Sequence, residues 1–249
     1  MGIIFRDMSQ TSPVRAIIID RQIFREFDSR ISVYSLDYGR LDLIVRGTKR
    51  PKSKLAGHCE PLTEVDLMIV KGKKYDYAGS AKSVNAFSKL KNNYDLLLDA
   101  GQVAKILKRL IKSGEIDNRI YFLLKEYLEL INKNNTSKDR SSLILLFFIF
   151  KLISYLGYLP QLNSCLVCNM KKESSKYFFN YEEGGLICES CRKGNKGNLL
   201  ITSETIEVMK IVLNSEIEVM SKLIISHETL AEFKKILNIY LRYNLNYKM

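Results

Sequence analysis

Four cysteines in the second half of the chain have the spacing of a metal site. Cys165 and Cys168 form one C-x2-C pair, Cys188 and Cys191 form another, and nineteen residues separate the pairs. Two such turns can deliver four thiolates to one tetrahedral site, for which zinc is the usual ion. Because all four ligands are protein thiolates, we expect one structural Zn²⁺ rather than a catalytic ion with an open position. A redox pair and an iron–sulfur site are the alternatives for this spacing.

The residues between the two cysteine pairs indicate which element positions them. Two apolar segments, 177–181 and 186–187, flank the polar, glycine-containing sequence Glu182-Glu183-Gly184-Gly185. This pattern is typical of a β-hairpin with a turn at the glycines. We therefore predict that residues 164–200 form a module that resembles a zinc ribbon.

The charge of the chain points to a polyanionic partner. Its 249 residues include 39 Lys and Arg against 27 Asp and Glu, a net charge of +12. Such an excess favours contact with nucleic acid or an anionic membrane surface. The longest apolar run, 143–150, is far shorter than the roughly 18 residues of a spanning helix. Since the N-terminal sequence also has no long apolar stretch, we expect no signal peptide and a cytoplasmic location.

One segment concentrates positive charge and is our candidate nucleic-acid contact. Five cations fall within nine residues without an acid: Arg46, Lys49, Arg50, Lys52 and Lys54. A phosphate-tracking patch at the mouth of a barrel is one interpretation, and a solvated charged loop is the other. The candidate platforms for base stacking are Tyr34, Tyr38, Tyr75 and Tyr77.

The first 80 residues alternate apolar and polar side chains with the period of strands. The predicted strands are 14–20, 31–36, 41–46, 65–69 and 77–87. Five short strands with a long central loop fit a small β-barrel, and the OB-fold is the commonest barrel of that size. The pattern alone does not separate an OB-fold from an SH3-like barrel.

The period changes to that of helices after Asp95, which we predict as a helix N-cap. The fold class is therefore α+β: an OB-fold over 1–80, a helical domain over 81–163 and 201–249, and the ribbon of 164–200 inserted in it. Asp117 is predicted to cap the helix that follows, and Ser226 is predicted to cap the last helix. Its apolar stripe is assigned to the core, with a surface groove for a partner peptide as the alternative: Leu230, Phe233, Leu237, Tyr240 and Leu241.

No sequence motif supports an enzymatic activity. The chain has two histidines, no phosphate-binding glycine loop and no H-E-x-x-H metalloprotease sequence. We therefore favour a nucleic-acid-binding protein without turnover. A nucleic-acid-modifying enzyme and a protein scaffold, each using the barrel and the ribbon only for positioning, are the alternatives.

Several of these segments together resemble the bacterial RecO family. The resemblance rests on Tyr38-Gly39-Arg40-Leu41, on the basic sequence 45–55, on Glu60-Pro61-Leu62, and on Gly157-Tyr158-Leu159-Pro160 followed by the cysteine pairs. It covers nearly the whole chain, and the basic motif with the ribbon downstream makes it specific.

The resemblance implies a recombination mediator of the RecF pathway. Such proteins bind single- and double-stranded DNA, anneal complementary strands and assist RecA loading onto DNA coated with single-strand-binding protein. The implied partners are RecR and the C-terminal tail of single-strand-binding protein, and the implied location is the nucleoid within the cytoplasm. Residue by residue, the resemblance carries over only the five cations as DNA contacts and the four cysteines as metal ligands.

Overall fold

The computed structural model of the chain describes residues 11–133, 137–170, 176–192, 197–220 and 222–248. Backbone packing divides it into two compact units, Met1–Asn135 and Thr136–Met249. The segment 81–163, expected to be the first part of one helical domain, is thereby shared between the two units.

The first unit begins with a closed five-stranded barrel. Its strands are β1 (Thr11–Ile23), β2 (Ser29–Ser35), β3 (Gly39–Val45), β4 (Thr63–Val70) and β5 (Tyr77–Asn85). Their order around the barrel is β1-β2-β3-β5-β4, and β4 pairs with β1 to close it. This order, with a single parallel contact between β3 and β5, is that of an OB-fold, so the prediction is confirmed.

The alternating pattern of the strands explains the barrel interior. In β1, Val14, Ala16 and Ile18 lie at every second position and point inward, whereas the neighbouring Pro13 and Arg15 are exposed. The antiparallel register places Val14 opposite Leu67 of β4. The interior is filled by branched apolar side chains, which suit a pleated surface: Val14, Ile18, Ile31, Val33, Leu43, Val45, Val65, Leu67 and Ile69.

In the described part of the first unit, three α-helices follow the barrel, in addition to a short 3₁₀ turn at Gly57–Cys59: α1 (Ser88–Lys91), α2 (Tyr94–Leu110) and α3 (Asn118–Asn132). The α2 helix begins earlier than predicted, because the side chain of Asn93 accepts a hydrogen bond from the backbone N–H of Leu96 and caps it. Asp95 lies instead in the first turn, where its negative charge complements the helix dipole. Asp117 caps α3, as predicted.

The second unit packs four helices with a small sheet. The helices are α4 (Lys138–Tyr155), α5 (Ser203–Asn214), α6 (Ile217–Met220) and α7 (His227–Leu245). The sheet has the order β6-β8-β7-β9, from β6 (Gln161–Cys165), β7 (Tyr177–Asn180), β8 (Gly185–Cys188) and β9 (Asn198–Ile201). The predicted hairpin is β7–β8. The outer strands β6 and β9 were not predicted, since five and four residues are too few to show a period and, unlike β7 and β8, no predicted hairpin turn joins them.

Side chains of α7 pack onto the sheet and confirm the assignment of its stripe to the core. The Tyr240 ring meets the Phe179 ring of β7 edge-to-face, with 5.5 Å between centroids. Tyr240 also donates a hydrogen bond to the Tyr158 carbonyl at 3.3 Å. Phe233, further back on α7, is fully buried against α4 through Phe150. Ser226 caps α7, as predicted.

None of the described helices is long and apolar enough to cross a membrane.

Candidate metal centre and nucleic-acid interface

The four predicted cysteines come together at one end of the small sheet. The Sγ atoms of Cys165, Cys168, Cys188 and Cys191 all lie within 4.8 Å of one another, and those of Cys168 and Cys188 are 3.9 Å apart. A tetrahedral ion with bonds of about 2.3 Å to sulfur separates its ligands by about 3.8 Å. The structure therefore positions these cysteines to bind a metal ion.

Two tight turns present the sulfurs. Cys165 ends β6, and the turn after it closes with hydrogen bonds from Asn169 N–H to the Cys165 carbonyl and from Cys165 N–H to the Met170 carbonyl. Asn169 adopts a left-handed backbone with φ of 56°, a conformation that asparagine tolerates better than most residues. Cys188 ends β8, and the Cys191 N–H donates a hydrogen bond to the Cys188 carbonyl at 3.1 Å.

The environment of the sulfurs suits thiolates that share a cation. Burial opposes ionisation of Cys165, but backbone N–H groups that donate to its sulfur, including that of Cys188 at 3.4 Å, lower its pKa to about 6. Hydrogen bonding to the Cys188 sulfur raises the pKa of Cys191 to about 12. Thiols this close cannot all ionise alone, whereas a bound cation favours the thiolate at every position. This all-thiolate donor set is consistent with structural zinc.

The five predicted cations lie on the loop that follows β3. All five side chains are exposed: Arg46, Lys49, Arg50, Lys52 and Lys54. Among the described residues, no carboxylate forms an ion pair with any of them. Positive charges without counter-charges are available to phosphate groups.

Backbone hydrogen bonds fasten the first part of this loop to the β1–β2 connection. Lys49 N–H donates to the Phe27 carbonyl at 3.1 Å, and Gly47 N–H donates to the Asp28 carboxylate at 2.9 Å. Beneath them the hydroxyls of Ser29 and Thr48 share a buried hydrogen bond of 2.7 Å. The cations therefore project from a backbone held on the barrel.

Tyr34 does not support the predicted role as a stacking platform. Its side chain is fully buried, and its hydroxyl donates to the Asp117 carbonyl and accepts from Asp117 N–H, both at 3.1 Å. Burial raises the pKa of Tyr34 to about 12. That prediction was wrong, because the strand pattern does not reveal that the start of α3 covers this part of the barrel.

Tyr38 is not brought together with the five cations. It is half-buried, packs against the barrel core and lies in the turn between β2 and β3. Arg46 follows the opposite end of β3. A seven-residue strand separates the two by about 20 Å.

The residues beside Tyr38 are structural. Gly39 has a φ of +61°, and a Cβ at this position would lie 1.8 Å from the Glu115 carbonyl oxygen. Arg40 donates through Nη1 to the carbonyls of Lys108 and Ile111 at 2.7 and 2.6 Å, and so binds the last turn of α2. The sequence 38–41 therefore attaches the barrel to the helices of the first unit.

Sequence reasoning missed several charged and aromatic residues near the basic loop. They lie in or beside the β1–β2 and β4–β5 connections: Phe24, Arg25, Phe27, Arg30 and Lys74. Tyr75, considered as a platform, contacts Phe24 of this set. Tyr77, the other candidate at this end, has the Arg46 guanidinium 4.4 Å from its ring centroid. No local pattern identifies the set, because it forms only when three connections meet at one end of the barrel.

Fold and site together define an OB-fold protein with a basic surface and a four-cysteine metal centre. Comparison with known proteins is consistent with this description. Residues 8–87 match the family model described as "Recombination protein O N terminal", and residues 92–249 match "Recombination protein O C terminal".

Relatives match more than nine tenths of the chain. The DNA repair protein RecO of Desulforamulus reducens is 27% identical over 234 residues, covering 94% of this chain and 90% of the relative. That of Caldanaerobacter subterraneus subsp. tengcongensis is 26% identical over 230 residues, covering 92% and 91%. The chain therefore belongs to the RecO family of DNA repair and recombination proteins. Neither the family descriptions nor these relatives' names include a catalytic activity.

Proposed function

We propose that the protein binds single- and double-stranded DNA through the basic loop of its barrel and acts as a recombination mediator of the RecF pathway. The observation that carries the proposal is the set of five exposed cations, without ion-pair partners among the described residues, on an OB-fold. OB-folds bind nucleic acid through such cationic surfaces.

Charge alone provides a mechanism for strand annealing. Two complementary strands repel through their phosphates, and bound cations reduce that repulsion as counterions leave. Annealing then needs no nucleotide and no catalytic residue. A single strand held by the basic loop would also be accessible to RecA, including on DNA that is coated with single-strand-binding protein.

The experiment that tests this function is annealing of oligonucleotides precoated with single-strand-binding protein. We expect the wild-type protein to accelerate annealing without nucleotide consumption. Replacing all five cations by alanine should abolish the acceleration. If the variant anneals as fast as the wild type, the basic loop is not the interface. Hydrolysis of DNA or nucleotide would favour the modifying enzyme instead.

Family membership supports three further partners: RecR, the C-terminal tail of single-strand-binding protein and, indirectly, RecA. It also supports a cytoplasmic location at the nucleoid. Titration calorimetry with RecR and with a tail peptide tests the direct contacts. A scaffold that uses the basic loop for an acidic protein would bind an acidic peptide better than DNA at matched salt.

We propose that the four-cysteine centre holds one structural Zn²⁺. Metal binding to such a site contributes on the order of 10 kcal/mol, so Cys165→Ser or chelation should unfold the second unit. Elemental analysis should give one zinc per chain. Cys59→Ala is the control, because Cys59 is buried in the barrel and should leave the zinc content unchanged. A purified wild-type chain without zinc, and with a melting temperature insensitive to Cys165→Ser, would contradict the assignment.

A further inference from the structure

Aromatic rings and cations alternate at the end of the barrel that carries the basic loop. We call this set the aromatic–cation cluster, and its members are Phe24, Phe27 and Tyr75 with Arg25, Arg30 and Lys74. Phe24 and Tyr75 meet edge-to-face with 5.4 Å between ring centroids. The Phe27 ring is 43% exposed.

The cations of the cluster lie over the rings. The Arg30 guanidinium is 5.4 Å from the Phe24 centroid and 5.7 Å from the Tyr75 centroid, so it bridges the two. Arg25 lies 5.1 Å from the Phe24 centroid, and Lys74 lies 5.5 Å from that of Tyr75. Arg50 of the basic loop lies 5.7 Å from the Phe27 ring, which joins the cluster to that loop.

Hydrogen bonds across the connections hold the cluster together. The Phe27 carbonyl accepts from Lys49 N–H, as described above. Asp76, next to Tyr75, accepts from Ile44 N–H of β3 through its carbonyl at 2.9 Å. Gly72 packs closely in the same loop, because a Cβ there would lie 2.2 Å from the Tyr75 carbonyl oxygen. The rings therefore sit on two connections that are each held by a hydrogen bond, the β1–β2 connection to the basic loop and the β4–β5 connection to β3.

The acidic side chains nearby do not neutralise the cluster. The Asp76 carboxylate pairs with Lys71 at 3.7 Å and accepts from Gly72 N–H, and Asp28 accepts from Gly47 N–H. Glu26 is exposed. Within the described part of the chain, no carboxylate forms an ion pair with Arg25, Arg30 or Lys74. The cluster therefore offers rings, planar guanidinium groups and unpaired charge together.

We propose that the aromatic–cation cluster is a stacking site for unpaired bases and gives the barrel a preference for single-stranded over double-stranded DNA. The inference rests on the proposed DNA-binding function and names the substrate form it selects. Every unpaired base has a π face that stacks on a ring or a guanidinium, whereas duplex bases are already stacked on each other. The cations meet the adjacent phosphates.

An abasic oligonucleotide separates stacking from phosphate contact, since it keeps the phosphates and lacks the bases. By fluorescence anisotropy at matched salt, the wild-type protein should bind a base-containing single strand about tenfold or more tightly than an abasic strand of equal length. We call the affinity for the base-containing strand divided by that for the abasic strand the affinity ratio. In Phe27→Ala and in the double variant Phe24→Ala, Tyr75→Ala, this ratio should fall towards one.

Two controls distinguish stacking from folding. Phe27→Leu keeps apolar volume without a ring and should also lower the ratio, with an unchanged melting temperature. Phe122→Ala removes a ring that is 48% exposed on α3, away from the cluster, and should keep the wild-type ratio.

The outcomes separate this inference from the function it rests on. Equal wild-type affinity for both strands overturns stacking and leaves phosphate binding intact. A ratio that survives both the Phe27→Ala and the double substitution also overturns the assignment to this cluster. Absence of binding to either strand overturns the DNA-binding function itself.

Discussion

The two ends of the β2–β3 hairpin have the same strands and opposite roles. At the turn end, Tyr34 is fully buried and Arg40 is hydrogen-bonded to the end of α2. At the open end, Arg46 and its four companion cations are exposed and without ion pairs among the described residues. One basic residue thus serves packing at one end, while others remain available to a ligand at the other.

The difference shows that residue type does not decide the role of a charged or aromatic side chain. Carbonyl groups at the C-terminus of a helix surround Arg40, so its charge is used within the fold. The cations after β3 are exposed to solvent, and none of them forms an ion pair with a carboxylate of the described residues. Substitutions at the turn end should therefore change stability, and those at the open end should change DNA affinity.

Between the two ends of the hairpin, the largest expected effect is the loss of stability on Gly39→Ala. The positive φ and the overlap of a new Cβ with the Glu115 carbonyl should together cost on the order of 3 kcal/mol. Chemical denaturation measures it. The matched control is Gly101→Ala within α2, where a Cβ meets nothing within 4 Å and should raise stability by about 0.5–1 kcal/mol. Equal effects of the two substitutions on the free energy of unfolding would contradict the structural role assigned to the turn end of the hairpin.

The next effect concerns affinity. Removing Lys52 and Lys54 by alanine substitution should reduce the steepness of the log K against log salt plot by about 1.4 on single strands. At 0.1 M salt this corresponds to about 25-fold weaker binding, with an unchanged melting temperature. The double substitution Lys234→Ala, Lys235→Ala removes the same charge from exposed positions of α7 and is the control. Similar losses in both variants would mean that net charge, rather than the barrel loop, governs binding.

The smallest effect is a pH dependence at Tyr34. Its pKa is raised from 10.0 to about 12 in the folded protein, so the folded state holds this proton more tightly than the unfolded state. The stabilisation is complete below about pH 10 and is lost as pH rises towards 12. Tyr34→Phe should cost about 1 kcal/mol at neutral pH through the lost hydrogen bonds.

The alkaline slope is the test for Tyr34. Because other buried tyrosines also titrate, only the difference between wild type and variant reports this residue. Unfolding free energies across pH 9–12 should fall less steeply in Tyr34→Phe. An identical slope would show that the Tyr34 hydroxyl is not held as the structure has it.

Local patterns predicted the elements well and the contacts between distant residues poorly. The five strands, the Asp117 and Ser226 caps and the β7–β8 hairpin follow from alternation and capping, which act within a few residues. The start of α2 was misplaced, because Asn93 and Asp95 are both acceptable caps and only geometry selects one. Strands β6 and β9 are short and carry no period of their own.

The two candidate sites also differ in how far they depend on local sequence rather than on contacts between distant residues. The cysteine centre was predictable because its ligands come in two local C-x2-C turns, and each turn already positions a pair of sulfurs. The interface was predictable only for the cations that are neighbours in sequence. Phe27 and Tyr75 lie on different connections and are 48 residues apart along the chain. They come close to the basic loop only in the folded barrel.

The sequence by itself determined the order of the five barrel strands, the position of the cysteine centre and the concentration of charge after β3. These depend on residue type and short-range spacing. The tertiary structure alone decided that Tyr34 is buried while Phe27 is exposed. The physical reason is that burial depends on which distant element covers a residue: Tyr34 meets Asp117, 83 residues away, whereas the Phe27 ring is 43% exposed among the described residues.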